Sequence, residues 1–471
     1  MTAVADHGLL DPATVRVPSL TDDEAVLAAL LDVEVAWARS LAAVGPAPET
    51  LPDVVEKAVA RLDLDAAQVA EAGEAGGNPV IPLVRALKSA VRDDDPDAAA
   101  WVHRGLTSQD VLDSALLLVA ARALDRLQDD LATASAALVR LAGSHRGTPM
   151  VARTLAQHAL PTTFGAKTAG WLQGVLDARE GVATTRAALP VQCGGAAGTL
   201  ALADLVTQGR ADDLAAAFAT RLGLRWPGSA WHTRRGPVTG LGDALTTVTD
   251  ALGKIASDVV LLSRPEVGEL AEPVAEGRGG SSTMPQKRNP VLCVLIRSTA
   301  LQAPHLAASL HTSAALAVDE RPDGAWHAEW PVLRRLLQLA AGAAALAAEL
   351  LDGLEVHPDA MAANLAHAGP LLLAERLQAE LPDRLGGGAA AAQVQDLLTR
   401  AGAAGDPRAV LRDGIPVEAV SDDELDAMLD PRRYVGVADA LVDRAVERAA
   451  RVDAAAARGA AAEGGGEAHD G

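Results

Sequence analysis

The sequence predicts an all-α protein of three helical domains, the central one a bundle of long helices, and three observations carry the helical reading. The 471 residues are rich in alanine, leucine and glycine and hold only two Phe and one Tyr, a composition suited to helices packed through small aliphatic side chains. No proline falls between Pro96 and Pro149 or between Pro237 and Pro265, so long helices fit both intervals. Both intervals carry apolar residues at alternating steps of three and four, and neither an internal repeat nor a strand-rich block is present.

In chain order, residues 21–44 open with Thr21 and Glu24 in capping-box spacing and place Val26, Leu30, Val33, Trp37, Leu41 and Val44 on one stripe, an amphipathic helix. Leu124, Leu127, Leu131, Ala134, Leu138 and Leu141 mark the second long helix. Leu241, Leu245, Val248, Leu252, Ile255, Val259 and Leu262 form a coiled-coil-like seam on the third. After Asn364 the pattern shortens around the low-complexity stretch 386–392 and the prolines at 407 and 416. The expected organisation is an N-terminal helical domain over 1–104, a central long-helix bundle over 105–363 and a C-terminal helical domain over 364–454. Residues 455–471 lack an apolar stripe and read as a disordered tail.

The formal net charge of −21 argues against nucleic acid or an anionic membrane as partner. An anionic small molecule must then be met by locally gathered Arg, Lys and His. The two cysteines, Cys193 and Cys293, stand in no CxxC pair and no Cys/His cluster, so no disulfide, metal or cofactor is expected. The N-terminus lacks the basic region and apolar core of a signal peptide, and no uninterrupted apolar run approaches a membrane span, which makes the cytoplasm the expected compartment.

The most informative stretch is GGSSTMPQKRNP at 279–290. Glycines 277, 279 and 280 free the backbone, Ser281, Ser282 and Thr283 offer hydroxyls beside Met284, and Lys287 adds a compact positive charge. Asn289 and Pro290 have the form of an N-cap and first helical residue ahead of an apolar run. Such a segment is built to meet an anion. Polar density recurs at 102–110, where His103, Arg104, Thr107 and Ser108 crowd the start of the longest helix. It recurs again at 154–167, where Thr154, Gln157 and His158 fall within about one helical turn before Pro161. The 319–330 segment sets Arg321, Glu329, Trp326 and Trp330 in a loop between helices. Glycines 194, 195 and 198 follow no strand–glycine–helix pattern, which excludes a dinucleotide loop.

The 279–290 loop resembles the signature loop of the fumarase/aspartase superfamily, and 102–110 and 154–167 resemble its other two shared regions in the same order. The likeness runs from about Leu9 to about Ala450. It implies the fumarase/aspartase-like fold and a homotetramer whose active sites form where three subunits meet, with Ser281 as the acid/base at carbon and Lys287 and His158 as further catalytic groups. Substrate contacts implied are His103, Arg104, Thr107, Ser108, Arg153, Thr154, Gln157, Ser282, Thr283, Met284 and Asn289. Most lyases of the family carry Thr-His in the second region, where this chain has Thr154-Leu155. Leucine transfers no proton. A cycloisomerase needs no acid there, because a carboxylate already ionised at neutral pH adds to the double bond. LLDPATV, GNPVIPLV, QHALP, CGGAAGTLA, WHTRR and WHAEW also resemble the carboxymuconate cycloisomerase branch, although Gln286 stands where many relatives have histidine. The implied reaction is closure of a tricarboxylate, 3-carboxy-cis,cis-muconate, to its lactone in aromatic catabolism. The alternative is a carbon–nitrogen lyase of the same superfamily that releases fumarate.

Overall fold

The computed structural model describes residues 8–280, 283–284 and 286–464. Among them the chain forms 18 α-helices and two two-stranded antiparallel sheets. By packing it divides into two compact units, Met1–Leu131 with Ala178–Gly253 and Leu295–Ala347, and Ala132–Asp177 with Lys254–Val294 and Ala348–Gly471. Consecutive blocks cut at 104 and 363 are a different partition of the same chain.

In the first unit the Asp23–Val44 helix buries Leu30, Val33, Trp37 and Leu41 as the stripe requires. Its cap is Asp22, whose carboxylate accepts from the Ala25 N–H at 2.8 Å, and not Thr21, which is buried. A charged carboxylate satisfies the helix N-terminus better than a hydroxyl, which explains the shift by one residue. The Trp37 ring meets Phe218 edge-on at 5.1 Å, and its N–H donates to the Arg104 carbonyl at 2.9 Å. The Ser108–Ser144 helix runs 37 residues, about 55 Å at 1.5 Å per residue. All seven residues of the expected seam on the Gly236–Leu262 helix are buried.

A buried charge network fixes the start of the Ser108–Ser144 helix. Asp113 takes two hydrogen bonds from Arg235, at 2.7 and 3.0 Å, and one each from the Trp326 indole at 2.9 Å and the Gln192 amide at 3.1 Å. Arg235 donates its other edge to Glu329 at 2.7 Å and lies 4.7 Å from the Trp231 ring centre. The 231–235 and 326–330 segments are thereby packing and charge-pairing elements. Burial acts to raise the Asp113 carboxyl, but the charge and hydrogen bonds of Arg235 outweigh it and hold Asp113 below the ordinary carboxylate range. For Glu329 burial wins over the same guanidinium, and its carboxyl lies above that range.

The second unit holds a β-hairpin where the sequence suggested a turn of helix. Strands Pro149–Thr154 and Gln157–Thr163 pair antiparallel, with Arg153 opposite His158 and Thr154 opposite Gln157. The two turn residues, Leu155 (φ 48°) and Ala156 (φ 64°), are both left-handed, the type I′ arrangement whose twist matches a hairpin. Strand pairing across five register positions between Pro149–Thr154 and Gln157–Thr163 outweighs their weak helical pattern. A core of its own, built on Leu377, Leu381, Val394, Leu397, Leu411, Val420 and Leu425, supports the shorter C-terminal helices. The tail also differs from expectation, since the Ala438–Gly464 helix continues through 455–464. Alanine has the highest intrinsic helix propensity and extends a helix already started on a packed face.

Among the described residues one helix, Val291–Ala315, is long and apolar enough to cross a membrane by length and composition, a feature not anticipated from the sequence. It carries Arg297, His305, His311 and Pro304 and exposes Val294 and Leu301.

The opposed shifts of the two carboxylates give a test. Asp113→Asn leaves Arg235 without its best partner and should cost about 3–5 kcal/mol in urea denaturation at pH 7. Glu329→Gln removes a carboxylate that burial disfavours and should cost about 1 kcal/mol or less. The Asp113 folded value lies below its unfolded value of about 3.9. Its contribution is therefore complete at neutral pH and is lost as pH falls below about 4, so Asp113→Asn should flatten the acid limb of stability against pH. Equal costs for the two substitutions at pH 7 would contradict this account.

Candidate active site

The three polar regions fall in different units, the first in one and the second and third in the other. In the first, Thr107 precedes the Ser108–Ser144 helix and its N–H donates to Asp110 at 3.0 Å. Asp110 is completely buried and also accepts from the N–H groups of Gly194 and Gly195, at 2.9 and 2.8 Å, and lies 2.8 Å from His232 Nε2. The glycines at 194 and 195 thus hold a protein carboxylate. Thr107 and Ser108 are half-buried at the helix start. His103 adopts φ 59°, uncommon for a non-glycine residue, and its Nδ1 lies 2.7 Å from Glu34 Oε1. The Arg104 guanidinium stacks on Trp101 at 4.7 Å.

In the second region Thr154, Gln157 and His158 are exposed at the hairpin end, and Leu155 at its tip is 98% exposed. Arg153, expected among the substrate contacts, makes a two-pronged pair with the buried Glu269 at 2.9 and 2.7 Å. Glu269 also accepts from Asn364 at 2.8 Å. Arg153 is therefore committed to anchoring the hairpin, because a buried carboxylate without its cation is costly.

In the third region Ser281 and Ser282 lie outside the described residues. Thr283, Met284 and Lys287 are exposed. The Asn289 side chain donates to the Gly279 carbonyl at 3.1 Å, and its backbone N–H to the same oxygen at 2.9 Å. Gly279 has φ 70°, and a Cβ there would lie 2.6 Å from the Asn289 carbonyl oxygen, so only glycine fits this closure. The helix begins at Val291, after Pro290. Its N–H groups at Leu292 and Cys293 are taken by the Glu272 carboxylate at 3.0 and 2.7 Å. Asn289 is thus a loop tie, and the helix terminus expected to receive a substrate carboxylate is capped by the chain's own acid. Arg278 pairs with Glu349 and donates to the Pro273 carbonyl. Arg288 pairs with Glu355 at 2.9 Å and donates to the Glu272 carbonyl at 3.1 Å. Both ends of the loop are tied.

The acidic partners Glu34, Asp110, Asp113, Glu269 and Glu272 were missed from the sequence. One carried a signal: Glu34 stands between Leu30 and Trp37 on an apolar stripe. Among the described residues no cluster of three or more His, Cys, Asp and Glu is arranged to hold a metal ion.

The chain matches the lyase family over residues 19–304. It is 47% identical over 458 residues to the nitrosuccinate lyase of Streptomyces davaonensis, covering 95% of this chain and 96% of that one. It is 41% identical over 451 residues to the 3-carboxy-cis,cis-muconate cycloisomerase of Pseudomonas aeruginosa, covering 95% and 97%. Among solved structures, the 3-carboxy-cis,cis-muconate lactonizing enzyme of Pseudomonas putida superposes with a TM-score of 0.87 at 36% identity, over 95% of this chain and all of that one. By the family match, these identities and the shared fold, the chain belongs to the fumarase/aspartase superfamily of lyases.

Proposed function

We propose that the chain is a cycloisomerase converting 3-carboxy-cis,cis-muconate to 4-carboxymuconolactone. The observation that carries the reading is the likeness to the Pseudomonas aeruginosa cycloisomerase and the Pseudomonas putida lactonizing enzyme, and Leu155 at the exposed hairpin tip, where most lyases of the family carry a histidine, accords with it. A substrate carboxylate adds its oxygen to one end of a double bond, forming the ring C–O bond, and the other end takes a proton. The nucleophile is an anion at the outset, and in reverse it departs as one, so no proton is needed on the leaving group. Ser281 supplies the one essential proton at carbon. Lys287, His103 and Arg104 gather the carboxylates, and His158 with Gln157 orients the attacking one. Arg153 has no part in this set.

The reading includes a homotetramer with sites shared among three subunits. The exposed Leu155, Val294 and Leu301 support it. A cytoplasmic location accords with a sequence that holds two cysteines, Cys193 and Cys293, both buried.

A second reading is favoured by the 47% identity to the Streptomyces davaonensis enzyme: elimination of nitrite from nitrosuccinate. Nitrite, like a carboxylate, leaves as an anion without protonation, so Leu155 suits both reactions. A carbon–nitrogen lyase of the adenylosuccinate or argininosuccinate kind would lack its acid.

Loss of the conjugated-diene absorbance of 3-carboxy-cis,cis-muconate, abolished by Ser281→Ala with a fall of about 100-fold or more, is the expected result. Release of nitrite and fumarate from nitrosuccinate, with the muconate untouched, would select the second reading. Release of fumarate from adenylosuccinate or argininosuccinate would overturn both. Leu155→His supplies a residue that tolerates positive φ and should leave lactonisation within about threefold, since no acid is required there. A rise of tenfold would show that the leaving group does need a proton.

A further inference from the structure

Glu34 stands out among the buried acids of the first unit because its one ionic partner among the described residues is a histidine of the candidate site. It lies on the Asp23–Val44 helix with 1% of its side chain exposed, and its Oε1 is 2.7 Å from His103 Nδ1, while the His103 side chain keeps 16% exposure. Its second oxygen, Oε2, is buried without a hydrogen-bond partner among the described residues. One turn further along the same helix, Trp37 donates to the Arg104 carbonyl. The helix therefore grips the ring of His103 through Glu34 and the backbone beside it through Trp37. Between them they hold His103 at φ 59°, a conformation that needs such support.

For stability alone an apolar side chain at position 34 would serve as well or better. A buried carboxylate with one oxygen unpaired carries a desolvation cost, and Leu30, Val33 and Trp37 already fill that face. We infer that Glu34 is a positioning residue for His103. It binds the Nδ1–H, fixes the ring's orientation and leaves Nε2 as the nitrogen that donates to a substrate carboxylate. When both ring nitrogens carry hydrogen, one N–H goes to each carboxylate. This role resembles that of the carboxylates that orient metal-bound histidines, with a substrate anion in the place of the metal. It rests on His103 being a substrate contact, as the proposed function has it.

The test is a double-mutant cycle on whichever substrate the wild type turns over, with Glu34→Gln, His103→Gln and the pair, reading KM and kcat separately and following the thermal midpoint. Glu34→Gln should lower kcat/KM about tenfold, mainly through KM, and should change it less than about twofold once His103 is already glutamine. Glu34→Asp, which keeps the charge, should recover part of the loss and serves if Glu34→Gln does not fold. Equal losses in both backgrounds, or an unchanged KM with a lowered thermal midpoint, would make Glu34 a merely structural acid and overturn the inference. If the wild type turns over neither the muconate nor nitrosuccinate, the proposed function fails. The cycle is then read on calorimetric binding of tricarballylate, where the same non-additivity decides.

Discussion

The buried carboxylates of Asp110 and Asp113, one turn apart at the start of the Ser108–Ser144 helix, are the constraint on which the first unit depends. Asp110 gathers the backbone at 107, 194 and 195 and the ring of His232; Asp113 gathers Gln192, Arg235 and Trp326. Segments from 79 to 213 residues away in sequence are thus tied to adjacent turns of one helix. Each donor lost would leave a charge in a dry interior, so the arrangement tolerates few alternatives. Such networks add little net stability over apolar packing, and their value is in register. Here the register fixed is that of the helix start that carries Thr107 and Ser108.

The same logic governs the candidate site in a chain of net charge −21. Arginines that a sequence reading would offer to a substrate are taken by acids of the same chain: Arg153 by Glu269, Arg278 by Glu349 and Arg288 by Glu355. Helix termini are treated likewise, with Glu272 on the Val291–Ala315 helix and Asp110 at Thr107. Positive potential is therefore spent on holding loops in place. Lys287, by contrast, makes no ion pair among the described residues, and the arginines tied at 278 and 288 flank it. A lysine between two tied ends needs less ordering when an anion arrives than one on a loose loop.

How much of this was legible follows from the range of each interaction. The long helices were, because a period of three and four over seven positions has no competing reading, as on the Gly236–Leu262 helix. The hairpin was not. Its turn residues are Leu155 and Ala156, whereas type I′ turns are signalled by Asn-Gly or Asp-Gly, and each strand is too short to establish a period of two. The helical tail to Gly464 was missed because an apolar stripe was demanded of residues that alanine propensity alone can carry as an extension. Glu269 and Glu272 were invisible for another reason: their partners lie 20 to 116 residues away in sequence, and nothing local separates a capping or pairing acid from a solvated one. Glu34 was readable in principle, since a carboxylate on an apolar face must find a partner. The motif residues were found by their order along the chain, while their partners required the fold.

The hairpin tip connects the two proposed reactions more closely than their substrates suggest. A carboxylate and a nitro group are both planar and end in two oxygens over which negative charge spreads as the bond to carbon breaks. A pocket that accepts one in the transition state therefore meets the other's shape and charge with the same donors. What both reactions ask of position 155 is negative: no proton to give, and no second hydrogen-bonding group competing for the departing oxygens. Leucine meets that demand, and the left-handed turn holds it clear of its own strands. Discrimination must then come from the rest of the substrate. The muconate brings a third carboxylate and a rigid conjugated chain, so under the proposed reading the number and placement of the remaining polar groups would carry the choice. A site that has given Arg153, Arg278 and Arg288 to its own acids must make that choice with few groups, and those already ordered before the substrate enters lose the least on binding it.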